Sequence, residues 1–150
     1  QGVTTGVRGE DHLSNTPRQI HIQHALGYPP LEYAHLPMVL GPDKKRLSKR
    51  NAVTSLQDYF DKGYLESSMI NMLARLGWSK GEKEIFYLDD LIMDFRMQEV
   101  QKAGAIFDQA KLDWINNHHL AALSFEDFKN RLIPFLAKNE IDFIKKNKAT

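Results

Sequence analysis

Apolar positions in the first forty residues fall in short runs, whereas those after residue 54 recur at helical spacing. The β-branched opening Val3-Thr4-Thr5-Gly6-Val7 predicts a strand running into Arg8-Gly9-Glu10-Asp11. Ser14 or Asn15 caps a following helix with Pro17 in its first turn; Ile20 and His24 share one face, and Gly27 stops it before Pro29-Pro30. His35 to Leu40 reads as a second strand, ended by the turn signal Gly41-Pro42-Asp43. Beyond it, Ser55 with Asp58 caps a helix over Leu56 to Asp61, with Gly63 after its end. Glu66 to Leu76 carries Met69, Ile70, Leu73 and Leu76 at helical spacing and closes at Gly77. Further helices are predicted over Leu88 to Phe95, Asp108 to His118 and Ser124 to Ala137. Ser124 and Asp127 cap the last, and Pro134 kinks it or ends it early.

This order, strand, helix, strand and then helices only, predicts a mixed α/β fold, mostly α. Two strands do not make a stable sheet alone, and a parallel pair joined by a helix belongs inside a larger one. The chain therefore reads as the back end of an α/β domain followed by a helical region.

Composition narrows the class. With 150 residues, 42% hydrophobic and 26% charged, the chain suits a globular domain rather than a disordered one. No apolar run approaches the roughly 20 residues of a membrane span, so a transmembrane protein is excluded. The absence of cysteine removes disulfides, thiol nucleophiles and cysteine-bound zinc together. Gln1 to Glu10 lacks the pattern of a signal peptide, so a soluble, cytoplasmic protein is expected. The net charge of +1 hides local asymmetry: five of the seven residues from Lys44 to Arg50 are basic. Glu82 to Glu99 holds six acids against two bases, and the tail is basic again at Lys145, Lys146 and Lys148.

The basic cluster Asp43-Lys44-Lys45-Arg46-Leu47-Ser48-Lys49-Arg50 follows a predicted strand, where several cations and a hydroxyl can surround a polyphosphate. Arg46-Leu47-Ser48-Lys49-Arg50 resembles the KMSKS signature of class I aminoacyl-tRNA synthetases, in its glutamyl form. Arg8 to Pro17 is similar to the segment preceding that loop in glutamyl-tRNA synthetases. His35 to Leu40 with Pro42-Asp43, then Thr54-Ser55-Leu56, Leu76-Gly77-Trp78 and Leu112 to Asn116, match in the same order. The resemblance covers about residues 3 to 120.

The resemblance implies the C-terminal portion of a Rossmann-type catalytic domain over 1–42. The signature loop and a helical stem-contact region follow over 43–121, and 122–150 would begin a helical anticodon-binding domain. The implied activity of the intact protein is ATP-dependent activation of L-glutamate and its transfer to tRNA(Glu), with Mg2+ accompanying ATP, no protein-bound metal and a monomeric enzyme. Residue by residue, Arg8 matches the glutamate-binding position, and Asp11 and Val39 match ATP contacts. Arg46, Leu47, Ser48, Lys49 and Arg50 match the ATP-binding loop, with Lys49 and Arg46 as the catalytic cations. From spacing alone, Arg8 and Asp11 read as a surface ion pair, Val39 as strand core, and Trp78, Trp114 and the aromatics from Phe86 to Phe107 as core.

The chain departs from the family's pattern at Thr5, Gly6 and His12, and Arg46 replaces the first signature lysine with a different donor geometry. The family's HIGH motif has no counterpart: His21-Ile22-Gln23-His24 has glutamine where a close backbone approach needs glycine. His21 and His24 at i, i+3, like His118-His119, read as packed or solvated histidines without a third metal ligand. The 150 residues alone are accordingly expected to be inactive. Rival readings are a glutaminyl-tRNA synthetase, the paralogue that glutamylates queuosine in tRNA(Asp), and a noncatalytic module binding tRNA or ATP.

Overall fold

The computed structural model describes residues 2–47 and 55–136. Strand β1 (Thr5–Gly9) pairs in parallel with β2 (Glu32–Leu36), in register from Thr5↔Glu32 to Gly9↔Leu36, and helix α1 (Thr16–Ala25) crosses between them. The strand starts later than predicted because the ladder begins at Thr4, whose carbonyl accepts from Glu32 N; Val3 has no strand beside it and stays exposed. The chain after Gly9 does not extend the strand but winds into a 3-10 turn over Glu10–Asn15.

The predicted strand His35 to Leu40 is two strands. Pro37 has no N–H to give to a ladder, and the Met38 N–H turns instead to Glu10 Oε1 at 3.1 Å. The chain resumes as β3 (Val39–Leu40), which pairs in parallel with β4 (Ala105–Ile106). That fourth strand overturns the expectation of helices only beyond the basic loop; two residues are too short to carry a periodic signal. Gly104 makes the pairing possible, since a Cβ there would lie 2.9 Å from Leu40 Cδ1 and 3.1 Å from the Met38 carbonyl oxygen.

Asn15 stands at the predicted cap of α1 but makes no side-chain cap hydrogen bond, whereas side chains cap several later helices. Ser55 accepts from Asp58 N at the start of α2 (Leu56–Asp61), and Asp108 accepts from Lys111 N at the start of α5 (Gln109–Ala121). Between them lie α3 (Glu66–Arg75), ended by Gly77 at φ +113°, and α4 (Leu88–Asp94). Ser124 caps α6 (Phe125–Leu132), which stops well short of residue 137 because Pro134 cannot continue it and sits in a 3-10 turn, Ile133–Phe135.

The main core joins Tyr59, Met69, Met72, Phe107, Leu112 and Ile115, with α3 against α5; a second joins Trp78, Phe86 and Leu91. Helix α3 is rotated from its predicted face: Ser68, Met69, Asn71 and Met72 are buried, while Ile70 and Leu73 are exposed. Asn71 accounts for the rotation. Its Nδ2 donates to the Glu84 carbonyl (3.1 Å), and its Oδ1 accepts from Phe86 N (2.9 Å) and meets His119 Nε2 at 3.1 Å. An amide oxygen only accepts, so His119 Nε2 is the donor in that contact. A buried amide making three bonds outweighs the two leucine-sized surfaces it leaves in solvent. Trp78 is core as expected, its indole donating to Glu99 Oε2 at 3.0 Å. Trp114 is not core: it is 40% exposed, with Lys111 Nζ over its ring and His118 against its edge. Tyr87, among the aromatics expected inside, is exposed as well.

Two stability outcomes follow. Leu112, fully buried, costs about 2–5 kcal/mol on truncation to alanine, whereas Leu73→Ala costs less than about 1 kcal/mol; denaturant unfolding reads both. Burial, and then the charge of His118, holds the His119 pKa below its ordinary 6.5. The unfolded chain then binds the proton more readily than the folded one. Stability contributed by the neutral ring is complete above pH 6.5 and drains away as pH falls below it. Melting temperature measured from pH 7.5 to 5 should drop less steeply in His119→Gln, which keeps a donor for Asn71, than in the wild-type protein.

Candidate ligand site at the strand ends

In open parallel sheets, ligands gather beyond the carboxyl ends of the strands, and that is where Arg8 lies, one residue from the end of β1. Side chains alternate along a strand, so Gly6 and Arg8 share a face. The register sets Tyr33 beside Gly6 and His35 beside Arg8. With no side chain at Gly6, the Tyr33 ring lies 3.4 Å from where a Cβ would stand. The Arg8 guanidinium rests over the Tyr33 ring, 4.7 Å from its centroid.

Three neutral groups hold Arg8. Its Nε donates to His35 Nε2 (3.3 Å), one terminal nitrogen donates to Thr16 Oγ1 (2.6 Å), and the other donates to Gln19 Oε1. Thr16 and Gln19 come from the face of α1 turned to the sheet, continued one turn on by Gln23, whose Nε2 donates to the Tyr33 hydroxyl at 2.8 Å. The helix thus meets the sheet with a polar stripe, Thr16-Gln19-Gln23, not with the predicted face of Ile20 and His24; Ile20 is exposed.

The predicted ion pair between Arg8 and Asp11 does not form. Asp11 pairs with Arg46, 3.0 Å away, and no carboxylate among the described residues pairs with Arg8. A half-buried guanidinium with five N–H donors and only neutral partners keeps both charge and donors for an anion.

The basic loop folds back on β3. Gly41 N donates to the Lys45 carbonyl (2.8 Å) and Leu47 N to the Val39 carbonyl (3.0 Å), with Lys44 in the left-handed region. Asp43 Oδ1 accepts from Lys45 N, closing the turn. Val39 and Leu47 both pack against the main core, so their side chains anchor the loop while Arg46 reaches out to Asp11. Ser48, Lys49 and Arg50 lie outside the described residues. His21 and His24 sit on the exposed outside of α1, and among the described residues no group of three or more His, Asp or Glu side chains converges as a metal site.

Arg8, Asp11, Val39, Arg46 and Leu47 are therefore organised around the ends of β1 and β3 as one neighbourhood. Thr16, Gln19, Tyr33 and His35 belong to it and escaped the sequence reading, because only the strand register shows that His35 stands next to Arg8. The parallel strand–helix–strand unit, with a guanidinium held at the strand ends, defines the class as α/β. Comparison with known proteins makes this specific. The family described as tRNA synthetases class I (E and Q), catalytic domain, matches residues 1–114, and the chain belongs to that family. It is similar to a glutamate–tRNA ligase of Thermodesulfovibrio yellowstonii, 51% identical over 137 residues, covering 91% of this chain and 30% of that protein. A glutamate–tRNA ligase of Geobacter sulfurreducens is 48% identical over 141 residues, 94% of this chain and 30% of that one. The fold is similar to the crystal structure of a glutamate–tRNA synthetase from Elizabethkingia anophelis, with TM-score 0.80 and 33% identity over 91% of this chain and 32% of that chain. A glutamate–tRNA ligase from Elizabethkingia meningosepticum, solved in complex with its amino acid, gives TM-score 0.75 and 31% identity over the same shares. The chain spans about 30% of the length of the curated relatives it matches.

The Asp11–Arg46 contact is a partly exposed pair, worth about 0.2–1 kcal/mol. Removing it by Asp11→Asn should speed tryptic cleavage at Lys44, Lys45 and Arg46 up to about fivefold, read by mass spectrometry of limited digests.

Proposed function

We propose that this chain is the part of a glutamate–tRNA ligase that holds the glutamate side chain and carries the cations of the activation step. The observation that carries this reading is Arg8, a half-buried cation organised by neutral acceptors and lacking a carboxylate partner among the described residues. In the first step an oxygen of the glutamate α-carboxylate attacks the α-phosphorus of ATP. The bond from that phosphorus to the bridging oxygen breaks, and pyrophosphate leaves with the electron pair. Since the α-carboxylate is the nucleophile, the carboxylate left for Arg8 to hold is that of the side chain, which is also what separates glutamate from glutamine. In the second step a ribose hydroxyl of the terminal adenosine of tRNA(Glu) attacks the acyl carbon, and AMP departs. No covalent enzyme intermediate is needed, so the protein's share is positioning and charge stabilisation.

In this reading Arg46 to Arg50 form the KMSKS loop, with Lys49 and Arg46 neutralising charge on the departing pyrophosphate. Asp11 and the Val39 backbone border ATP. The ordered motifs and the return of the loop onto β3 support this. Mg2+ would arrive on the phosphates of ATP, keeping most of its waters. The division at residues 42 and 121, a monomeric enzyme and a cytoplasmic location complete the proposal. No helix among the described residues is long and apolar enough to cross a membrane.

The test is ATP–pyrophosphate exchange by the full-length protein, with glutamate and tRNA(Glu). Exchange that needs glutamate and falls by about a hundredfold or more in Lys49→Ala is the expected outcome. Glutamate-independent exchange, or none, would leave a noncatalytic binding module instead.

A further inference from the structure

We propose that His35 is a positioning residue for the reaction, its neutral Nε2 fixing the edge of Arg8 so that the guanidinium presents its remaining donors to the glutamate carboxylate. This inference rests on the reading of Arg8 given above and adds the group that orients it.

The hydrogen-bond directions define the role. Arg8 Nε carries a hydrogen and no lone pair, so in the contact at 3.3 Å His35 Nε2 must be the acceptor. The ring is therefore neutral, with its proton on Nδ1. Thr16 Oγ1 stands 3.0 Å from the same Nε2, 2.6 Å from an Arg8 terminal nitrogen and 3.3 Å from the His12 carbonyl oxygen. The single Thr16 hydroxyl hydrogen goes to the His12 carbonyl, so the Arg8–Thr16–His35 triangle has one donor, Arg8, and two acceptors lying side by side. His35 is held in turn by its own strand: its ring stacks on Tyr33, 6.4 Å between centroids and 19° from parallel, beneath the same Tyr33 that faces the guanidinium.

The geometry leaves a definite set of donors. Of the five Arg8 N–H groups, Nε is engaged by His35 and each terminal nitrogen by one side chain of α1. One N–H on each terminal nitrogen remains, which is the number a carboxylate takes in a two-pronged contact. A guanidinium free to swing about its long side chain would lose side-chain entropy on capturing the ligand. Here that entropy is spent during folding, by the triangle, before the substrate arrives. A carboxylate in place of His35 would fix Arg8 equally well but would neutralise it. A neutral imidazole fixes it and leaves the charge for the substrate.

The experiment is steady-state aminoacylation by the full-length protein with tRNA(Glu), comparing Arg8→Ala, His35→Phe, His35→Asn and His35→Gln. Glutamine places an acceptor oxygen near the position of Nε2; asparagine is too short to reach it, and phenylalanine has no acceptor. Arg8→Ala should raise the KM for glutamate most. His35→Phe and His35→Asn should each raise it on the order of tenfold, since a hydrogen bond to a charged group is lost, with kcat and the KM for ATP moving less than threefold. His35→Gln should recover most of that loss. If Arg8→Ala leaves the glutamate KM unchanged, the reading of Arg8 fails, and this inference with it. If Arg8→Ala raises it while His35→Phe and His35→Asn do not, the role of His35 alone is overturned. Equal losses in His35→Gln and His35→Asn, or parallel rises in the KM values for glutamate and ATP, also overturn it, because a merely structural histidine would behave in that way. If His35→Phe fails to fold, the Asn and Gln pair still decides.

Discussion

A guanidinium taken partly out of water loses solvation, and a protein ordinarily offsets that loss with a carboxylate. At Arg8 the offset comes from uncharged groups: an imidazole nitrogen, a hydroxyl, an amide oxygen and the face of a tyrosine. The first two strands and the helix between them supply these partners. The parallel pairing puts His35 beside Arg8 and Tyr33 beside Gly6, while α1 turns the buried Thr16 and the exposed Gln19 toward Arg8. Folding this unit thus builds a positive site with donors left over. Two of the three polar residues on that face of α1, Thr16 and Gln19, hold the guanidinium directly, and the third, Gln23, holds the tyrosine beneath it.

A second constraint ties the site to the helical part of the chain. β3 is two residues long, yet it pairs with β4 across some sixty-five residues of sequence and receives Leu47 on its other side. Val39 and Leu47 sink into the core made by α3 and α5, so the basic loop starts from a rigid base. The same core depends on Asn71, whose three hydrogen bonds join α3 to the chain before α4 and to α5. The loop's first residues therefore leave the core from roots fixed by packing and by backbone hydrogen bonds.

Elements with strong local chemistry were legible in the sequence. Ser55, Asp108 and Ser124 stand at helix starts, and Gly27, Gly63 and Gly77 take positive φ just past helix ends. Elements defined by distant partners were not. The two residues of β4 form a strand only because Gly104 lets them approach β3. Helix α3 turned away from its apparent apolar face because a polar residue, Asn71, had the better use for the interior. Ile70 and Leu73 were therefore misplaced by periodicity, and Trp114, apolar by type, lies under Lys111 at the surface. In the site, Arg8 and Arg46 were found by resemblance to a family, but their pairing was not. Asp11 turned out to bind Arg46, leaving Arg8 to neutral groups, and His35 gained its meaning from a register that no local pattern encodes.

In the proposed function, Arg8 is kept without a carboxylate of its own so that a substrate carboxylate can complete it. The most direct measurement is a crystal structure of the full-length protein with glutamate bound. The side-chain carboxylate should lie within hydrogen-bonding distance of both Arg8 terminal nitrogens, with Arg8 still held by His35 and Thr16. A glutamate bound with its side-chain carboxylate on another cation, and Arg8 unchanged on its neutral partners, would contradict that role.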